Sequence, residues 1–131
     1  MQIAAGLSGT AELVVGEEHT APSIGSGKVR VLATPVMINL IEAAALAAVE
    51  HLLQPGTQSL GIHLDVHHIA ATPVGMKVVA TARVTRVEGR TVAFAVEARD
   101  ERDLIGHGTH ERVVVNVAKF DQRVQQKLSR P

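Results

Sequence analysis

Apolar and polar residues alternate with period two in five stretches of this chain, and one run at helical spacing interrupts them near the front. The first alternating stretch is Gly9 to Val15. After it, His19 to Arg30 reads as loop, broken by Pro22, Gly25, Ser26 and Gly27. A helix is predicted from Thr34, where a threonine able to cap free amides precedes a proline suited to the first turn, and it ends after Leu53, ahead of Pro55-Gly56. Strands are predicted over Ser59–Ala71, Lys77–Val87, Thr91–Ala98 and Leu104–Lys119, with turns at Glu88-Gly89 and Asp100–Asp103. A short helix over Asp121–Leu128 should close the chain, with Ser129–Pro131 fraying. Short turns make neighbouring strands antiparallel, so the pattern predicts an α+β domain in which one curved, five-stranded antiparallel sheet packs on one long helix.

That helix is apolar nearly all round. Its run from Val36 to Val49 is interrupted by Asn39 and Glu42 only, and an exposed helix cannot be so greasy. One sheet covers one side, so a second copy is expected over the other. The run is too short and too polar to span a membrane. With 131 residues, the chain is read as a single domain over residues 1–131, large enough to bury roughly two-thirds of its unfolded surface.

Thirteen basic and thirteen acidic residues cancel, leaving no broad positive field for nucleic acid. Cysteine is absent, which excludes disulfides, thiolate nucleophiles and thiolate metal sites. Met1–Thr10 lacks the basic start and apolar run of a signal peptide, so an unprocessed, soluble, cytoplasmic protein is expected. With two phenylalanines and no tyrosine or tryptophan, stacking platforms for bases or sugars cannot be built.

Two ionisable residues break apolar patterns. Glu42 lies among Ile38, Asn39, Ala45 and Leu46 at helical spacing, a setting that should raise a carboxyl's pKa and mark a site. The alternative is that it pairs with a basic residue or sits at a partly solvated edge. On the strand from Ser59, period two puts His68 on the face of Ile62, Leu64 and Val66. A neutral imidazole there can serve as a general base, or can be a core histidine bonded to a backbone carbonyl. His63, Asp65 and His67 share the opposite face and could hold a divalent metal with His107 or His110, although short polar alternation is ordinary on a solvated face and no metal is expected. Gly25-Ser26-Gly27-Lys28 lacks the first glycine and the Ser/Thr of a phosphate loop, and no G-x-S-x-G elbow occurs.

Ala33-Thr34-Pro35-Val36-Met37, Glu42-Ala43-Ala44, Ser59-Leu60-Gly61, His68-Ile69-Ala70-Ala71-Thr72-Pro73 and Gly108-Thr109-His110-Glu111-Arg112 together resemble the fluoroacetyl-CoA thioesterase family of hotdog-fold proteins. The likeness runs from Ala33 to Lys127. It implies a sheet wrapped around a central helix, hydrolysis of acyl-CoA by a homodimer or a pair of dimers, and no cofactor beyond the coenzyme A of the substrate. It also implies a catalytic set of Thr34, Glu42 and His68. Gly61 would border the acyl group through its amide, and Arg112 would position substrate or hold an interface. His68 and Glu42 would activate water, or Glu42 would attack the thioester itself, while Thr34 and the Gly61 amide steady the oxygen on which charge develops.

Thr34 and Glu42 lie eight residues apart on one helix, about 12 Å, so either the chain bends back at Thr34 or two subunits combine their groups. Aromatic gating residues precede the helix in the fluoroacetyl-specific enzyme, whereas Lys28 to Ala33 here reads Lys-Val-Arg-Val-Leu-Ala. A short or medium acyl group without fluorine selectivity is therefore expected. The non-enzymatic alternative is a hotdog module that binds an acyl-CoA without turning it over.

Overall fold

The structure, a computed structural model, describes residues 2–129. Strands β1 (Ser8–Val14), β2 (Thr57–His68), β3 (Lys77–Glu88), β4 (Thr91–Arg99) and β5 (Leu104–Asn116) form one antiparallel sheet in the order β1-β3-β4-β5-β2. Helix α1 (Ala21–Ile24) is a single turn in the segment expected to be loop. Helix α2 (Thr34–Val49), extended by a 3-10 turn over Glu50–Leu52, crosses one face of the sheet, and α3 (Val117–Gln126) follows β5. The architecture is the expected α+β hotdog arrangement, a curved five-stranded sheet around one long helix.

Small residues seat α2. A side chain at Gly9 of β1 would run into the helix backbone between Ala44 and Ala48, and one at Gly106 of β5 would meet the Met37 side chain. Met37, Leu40, Ile41, Ala44, Ala45, Ala48 and Val49 are buried from the helix, against Val78, Ala80, Ala82 and Val84 of β3 and Val92, Phe94 and Val96 of β4. The helix packs mainly on β1 and β3 and only lightly on β2. A wedge is thereby left between α2 and the β5–β2 side of the sheet, and the chemistry described below sits there.

Several boundaries differ from those read in the pattern. β5 ends at Asn116, not Lys119, because the Asn116 side chain accepts a hydrogen bond from the Lys119 amide at 3.0 Å and starts α3. β2 starts at Thr57 and stops at His68, ahead of Ala71. Thr34 is not the helix cap: Ala33 holds that position without a side-chain bond. The continuous segment Thr34–Leu52 is 19 residues and, by length and composition alone, apolar enough to cross a membrane, more than the Val36–Val49 run suggests. Here one face of it packs on the sheet. Of the residues expected to fray, Arg130 and Pro131 lie outside the described ones.

β2 carries a bulge. Gly61 pairs with Arg112 and His63 with Glu111, so Ile62 is an extra residue. Strict alternation would set Gly61 and His68 on opposite faces. With the bulge, Gly61, Leu64, Val66 and His68 stand opposite Arg112, His110, Gly108 and Gly106, all on the helix side.

Candidate active site

The wedge holds two polar groups of unlike construction. At the start of α2, the Thr34 hydroxyl meets His68 Nδ1 at 2.7 Å. The helix thus begins with a hydroxyl turned to the last residue of β2. His68 Nε2 is buried and has no hydrogen-bond partner among the described residues. Burial pushes the His68 pKa below its ordinary value, against a smaller opposing effect of the Ala70 backbone, so the ring is neutral near pH 7. Thr34 and His68 open onto a cleft of about 370 Å³, lined also by Lys28, Val29, Val31 and Ile69.

Two turns further along α2, Glu42 faces the sheet's interior edge. Its Oε2 lies 3.2 Å from Arg112 Nη1 and 3.8 Å from His110 Nε2. The Arg112 guanidinium is buried and nearly saturated: Nε donates to Ser59 Oγ at 2.8 Å, Nη2 to the Ser59 carbonyl at 3.1 Å, and Nη1 to Glu42 and toward His110 Nε2 at 3.2 Å. Ser59 in turn donates to Glu50, from its hydroxyl at 2.8 Å and from its amide at 3.0 Å. A fork of fixed donors reaching a carboxylate, a serine and an imidazole at once is what a guanidinium supplies and an ammonium does not. The Glu42 side chain remains 34% exposed, and its Oε1 accepts no hydrogen bond among the described residues.

Gly61 lies beneath this carboxylate. A Cβ built there would be 2.5 Å from Glu42 Oε2 and 3.1 Å from His110 Cε1, so glycine provides the space in which Glu42 sits. His110 is wholly buried, stacks on Phe94 with ring centroids 5.9 Å apart, and its Nδ1 lies 2.8 Å from the His63 carbonyl. Since a carbonyl only accepts, Nδ1 carries the proton and Nε2 is left to accept from Arg112.

The structure thus brings Thr34 to His68 and Glu42 to Arg112 and Gly61, but it does not join these two groups within one chain. They lie about 12 Å apart along the helix. Glu42 is not surrounded by apolar side chains as its helical neighbours suggest: it pairs with Arg112 at a half-buried edge. The core histidine bonded to a backbone carbonyl, an alternative raised for His68, is His110. Among the described residues no cluster of histidine and carboxylate side chains could hold a metal. His67 stacks on His107 with centroids 5.6 Å apart, on the opposite face of the sheet from the wedge. Glu50 and the roles of Ser59 and His110 escape a reading of the sequence, because their partners lie across the fold.

A sequence profile described as fluoroacetyl-CoA-specific thioesterase matches residues 15–118. The chain is 46% identical over 97 residues, 74% of its own length and 70% of the relative's, to the fluoroacetyl-CoA thioesterase of Streptantibioticus cattleyicolor. Among solved structures, a fluoroacetyl-CoA thioesterase aligns with a TM-score of 0.91 at 38% identity, covering 97% of this chain and 98% of that one. A thioesterase superfamily member from Thermus thermophilus aligns at 0.89 and 32% identity, covering 98% of each chain. The chain belongs to the fluoroacetyl-CoA-specific thioesterase family of hotdog-fold thioester hydrolases.

Proposed function

We propose that this protein hydrolyses short or medium acyl-CoA thioesters at a site that two copies complete, with Thr34, Glu42 and His68 as the reacting side chains. The observation that carries the reading is the division of the wedge: a Thr34–His68 pair with a spare ring nitrogen at one end, and a carboxylate with a free oxygen at the other. β2 is an edge strand, and Leu60, Ile62 and Leu64 on it are exposed, as is Leu46 on α2. Two copies pairing antiparallel along β2 about an axis between Leu64 and Asp65 would set Gly61 of one opposite His68 of the other. That register would bring Glu42 of one copy to Thr34 and His68 of its mate and cover the exposed apolar edge.

In such a site Arg112 holds Glu42 Oε2, leaving Oε1 to take a proton from water as the water oxygen adds to the thioester carbonyl. With the His68 Nδ1 proton donated to Thr34, the threonine's own hydroxyl is free to donate to the carbonyl oxygen on which charge develops. The C–S bond then breaks and the departing thiolate takes up the proton. The cleft wall before the helix supplies Lys28, Val29, Val31 and Leu32 but no aromatic ring, and Phe94 is packed away against His110. Acyl preference then rests on apolar burial, roughly 0.8 kcal/mol per methylene, which recognises chain length better than a fluorine. Fluoroacetyl-CoA should exceed acetyl-CoA only by the ratio of their uncatalysed hydrolysis rates, and propionyl-CoA should match or exceed acetyl-CoA.

Thiol release from these thioesters tests the activity and its selectivity. Mixing tests the composite site. Glu42→Gln and His68→Ala proteins, each inactive alone, should recover about a quarter of wild-type turnover after subunit exchange, since half the dimers are mixed and each has one intact site. No recovery on exchange would return all three residues to one chain.

A further inference from the structure

The Thr34–His68 contact is set from outside the wedge. The Thr34 hydroxyl is turned to His68, and Ala33 ahead of it makes no side-chain cap, so backbone bonds from other segments fix where α2 begins. The Ala33 amide donates to the His19 carbonyl and the Leu32 amide to the Thr72 carbonyl, each at 2.9 Å. Beyond His68 the Ile69 amide makes one more bond to β5, to the Ile105 carbonyl at 2.7 Å, and the chain then leaves the sheet for Thr72. Leu32 lies two residues before Thr34, and Thr72 four residues after His68. The Thr34–His68 contact therefore closes a small ring of chain at one end, and the Leu32–Thr72 bond closes it at the other.

Thr72 ties that ring to the sheet. Its side chain is wholly buried between exposed Ala71 and Pro73, and its hydroxyl donates to Asp100 Oδ2 at 2.9 Å. The other oxygen of Asp100 accepts from the amides of Arg102 at 2.8 Å and Asp103 at 2.7 Å, so the β4–β5 turn orients the carboxylate. Burial works to raise the Asp100 pKa, but those two amides, the Thr72 hydroxyl and the Arg102 charge outweigh it and hold the carboxyl below its ordinary value. Asp100 is therefore ionised at neutral pH, and its bond to Thr72 is charge-assisted. An apolar side chain at residue 72 would fill the same space without tying the loop to anything. We infer that Thr72 and Asp100 are positioning residues of the active site, which set the Thr34 hydroxyl against the His68 ring through the Leu32–Thr72 bond. Neither residue lines the cleft onto which Thr34 and His68 open, so they act on the reaction through that pair alone.

Their role rests on the reading of Thr34 and His68 as reacting groups, so the pair is measured both by turnover and by nitrogen NMR of the His68 ring. Thr72→Val keeps the size of the side chain and deletes the bond to Asp100. Its kcat for acetyl-CoA should fall about tenfold, less than a displacement of about 1 Å brings, with KM changed by under about twofold. In protein carrying isotope-labelled histidine, the His68 ring signals, assigned by their loss in His68→Ala, should move toward those of histidine free in water. Thr72→Ser, which keeps the hydroxyl, should restore both kcat and the signals. Asp100→Asn leaves the loop filled and should give both changes in smaller measure, which decides the matter if Thr72→Val does not fold. Glu101→Ala removes a bond from the same turn to the Lys77 amide, at 2.8 Å, and should change neither. Unchanged His68 signals in both Thr72→Val and Asp100→Asn, or equal losses in Glu101→Ala, would reduce the pair to a support of the fold and overturn its positioning role. Shifted His68 signals with turnover intact would uphold the placement while overturning the part of Thr34 and His68 in the reaction.

Discussion

The two ends of the wedge differ in how their polar groups are satisfied. Around Arg112, one guanidinium links Glu42, Ser59 and His110, Ser59 passes the connection to Glu50, and His110 is anchored at its other nitrogen to a backbone carbonyl. Around His68, a single bond to Thr34 is made and one buried nitrogen is left over. A saturated network stabilises a fold and holds a carboxylate at one place. An unsaturated imidazole costs stability and keeps a proton acceptor or donor in reserve. The contrast suggests that the molecule fixes its carboxylate by structure and leaves its histidine ready for chemistry.

The largest effects should come from crossing the two ends. Arg112→Ala leaves Glu42 and the His110 ring nitrogen without their partner and removes two bonds to the buried Ser59, and should lower stability by about 3 kcal/mol in urea denaturation, the scale of breaking a buried charged network. His68→Ala removes one hydrogen bond, to the Thr34 hydroxyl, and a ring nitrogen that has no partner among the described residues. It should change stability by under about 1 kcal/mol yet lower thioester turnover by about 10²-fold, the scale of losing the hold on a hydroxyl that donates to the developing charge. If His68→Ala proves the more destabilising of the two, the contrast fails.

A pH effect of intermediate size follows from the buried rings. Burial is the main reason that both His68 and His110 lie below the ordinary value of 6.5; at His110 the nearby Arg112 adds to it, while the His63 carbonyl and Glu42 oppose it. The unfolded chain therefore takes up protons near pH 6.5 that the folded chain still refuses. Their contribution to stability is complete above that pH and is lost as pH falls from there through the folded-state values. Urea midpoints measured between about pH 8 and pH 5 should fall on the acid side, and His110→Gln should flatten the fall.

The smallest expected effect sharpens the geometry. Gly61→Ala pushes against Glu42 Oε2 and the His110 ring, so the carboxylate must rotate away. Turnover should fall about tenfold, with a stability loss of about 1 kcal/mol from overpacking. A variant with full activity would mean that Glu42 works from a different position.

Periodicity and turn residues determined most of the architecture. Alternation marked all five strands, Gly89 and Asp100–Asp103 marked their turns, and Thr34-Pro35 and Pro55-Gly56 bracketed the helix, since each of these signals is local to a few neighbouring residues. The sequence also singled out Glu42 and His68, because an ionisable group in an apolar pattern is visible without partners. It could not show what each group bonds to. Glu42 and Arg112 are 70 residues apart, and Ser59 and Arg112 are 53 apart. The bulge at Ile62, which turns Gly61 to the helix side, adds one residue to a strand and leaves no mark in a pattern of period two. Which histidine belongs to the core and which arginine holds the carboxylate were decided only when distant segments packed, because hydrogen bonds between such segments depend on the fold and not on sequence spacing.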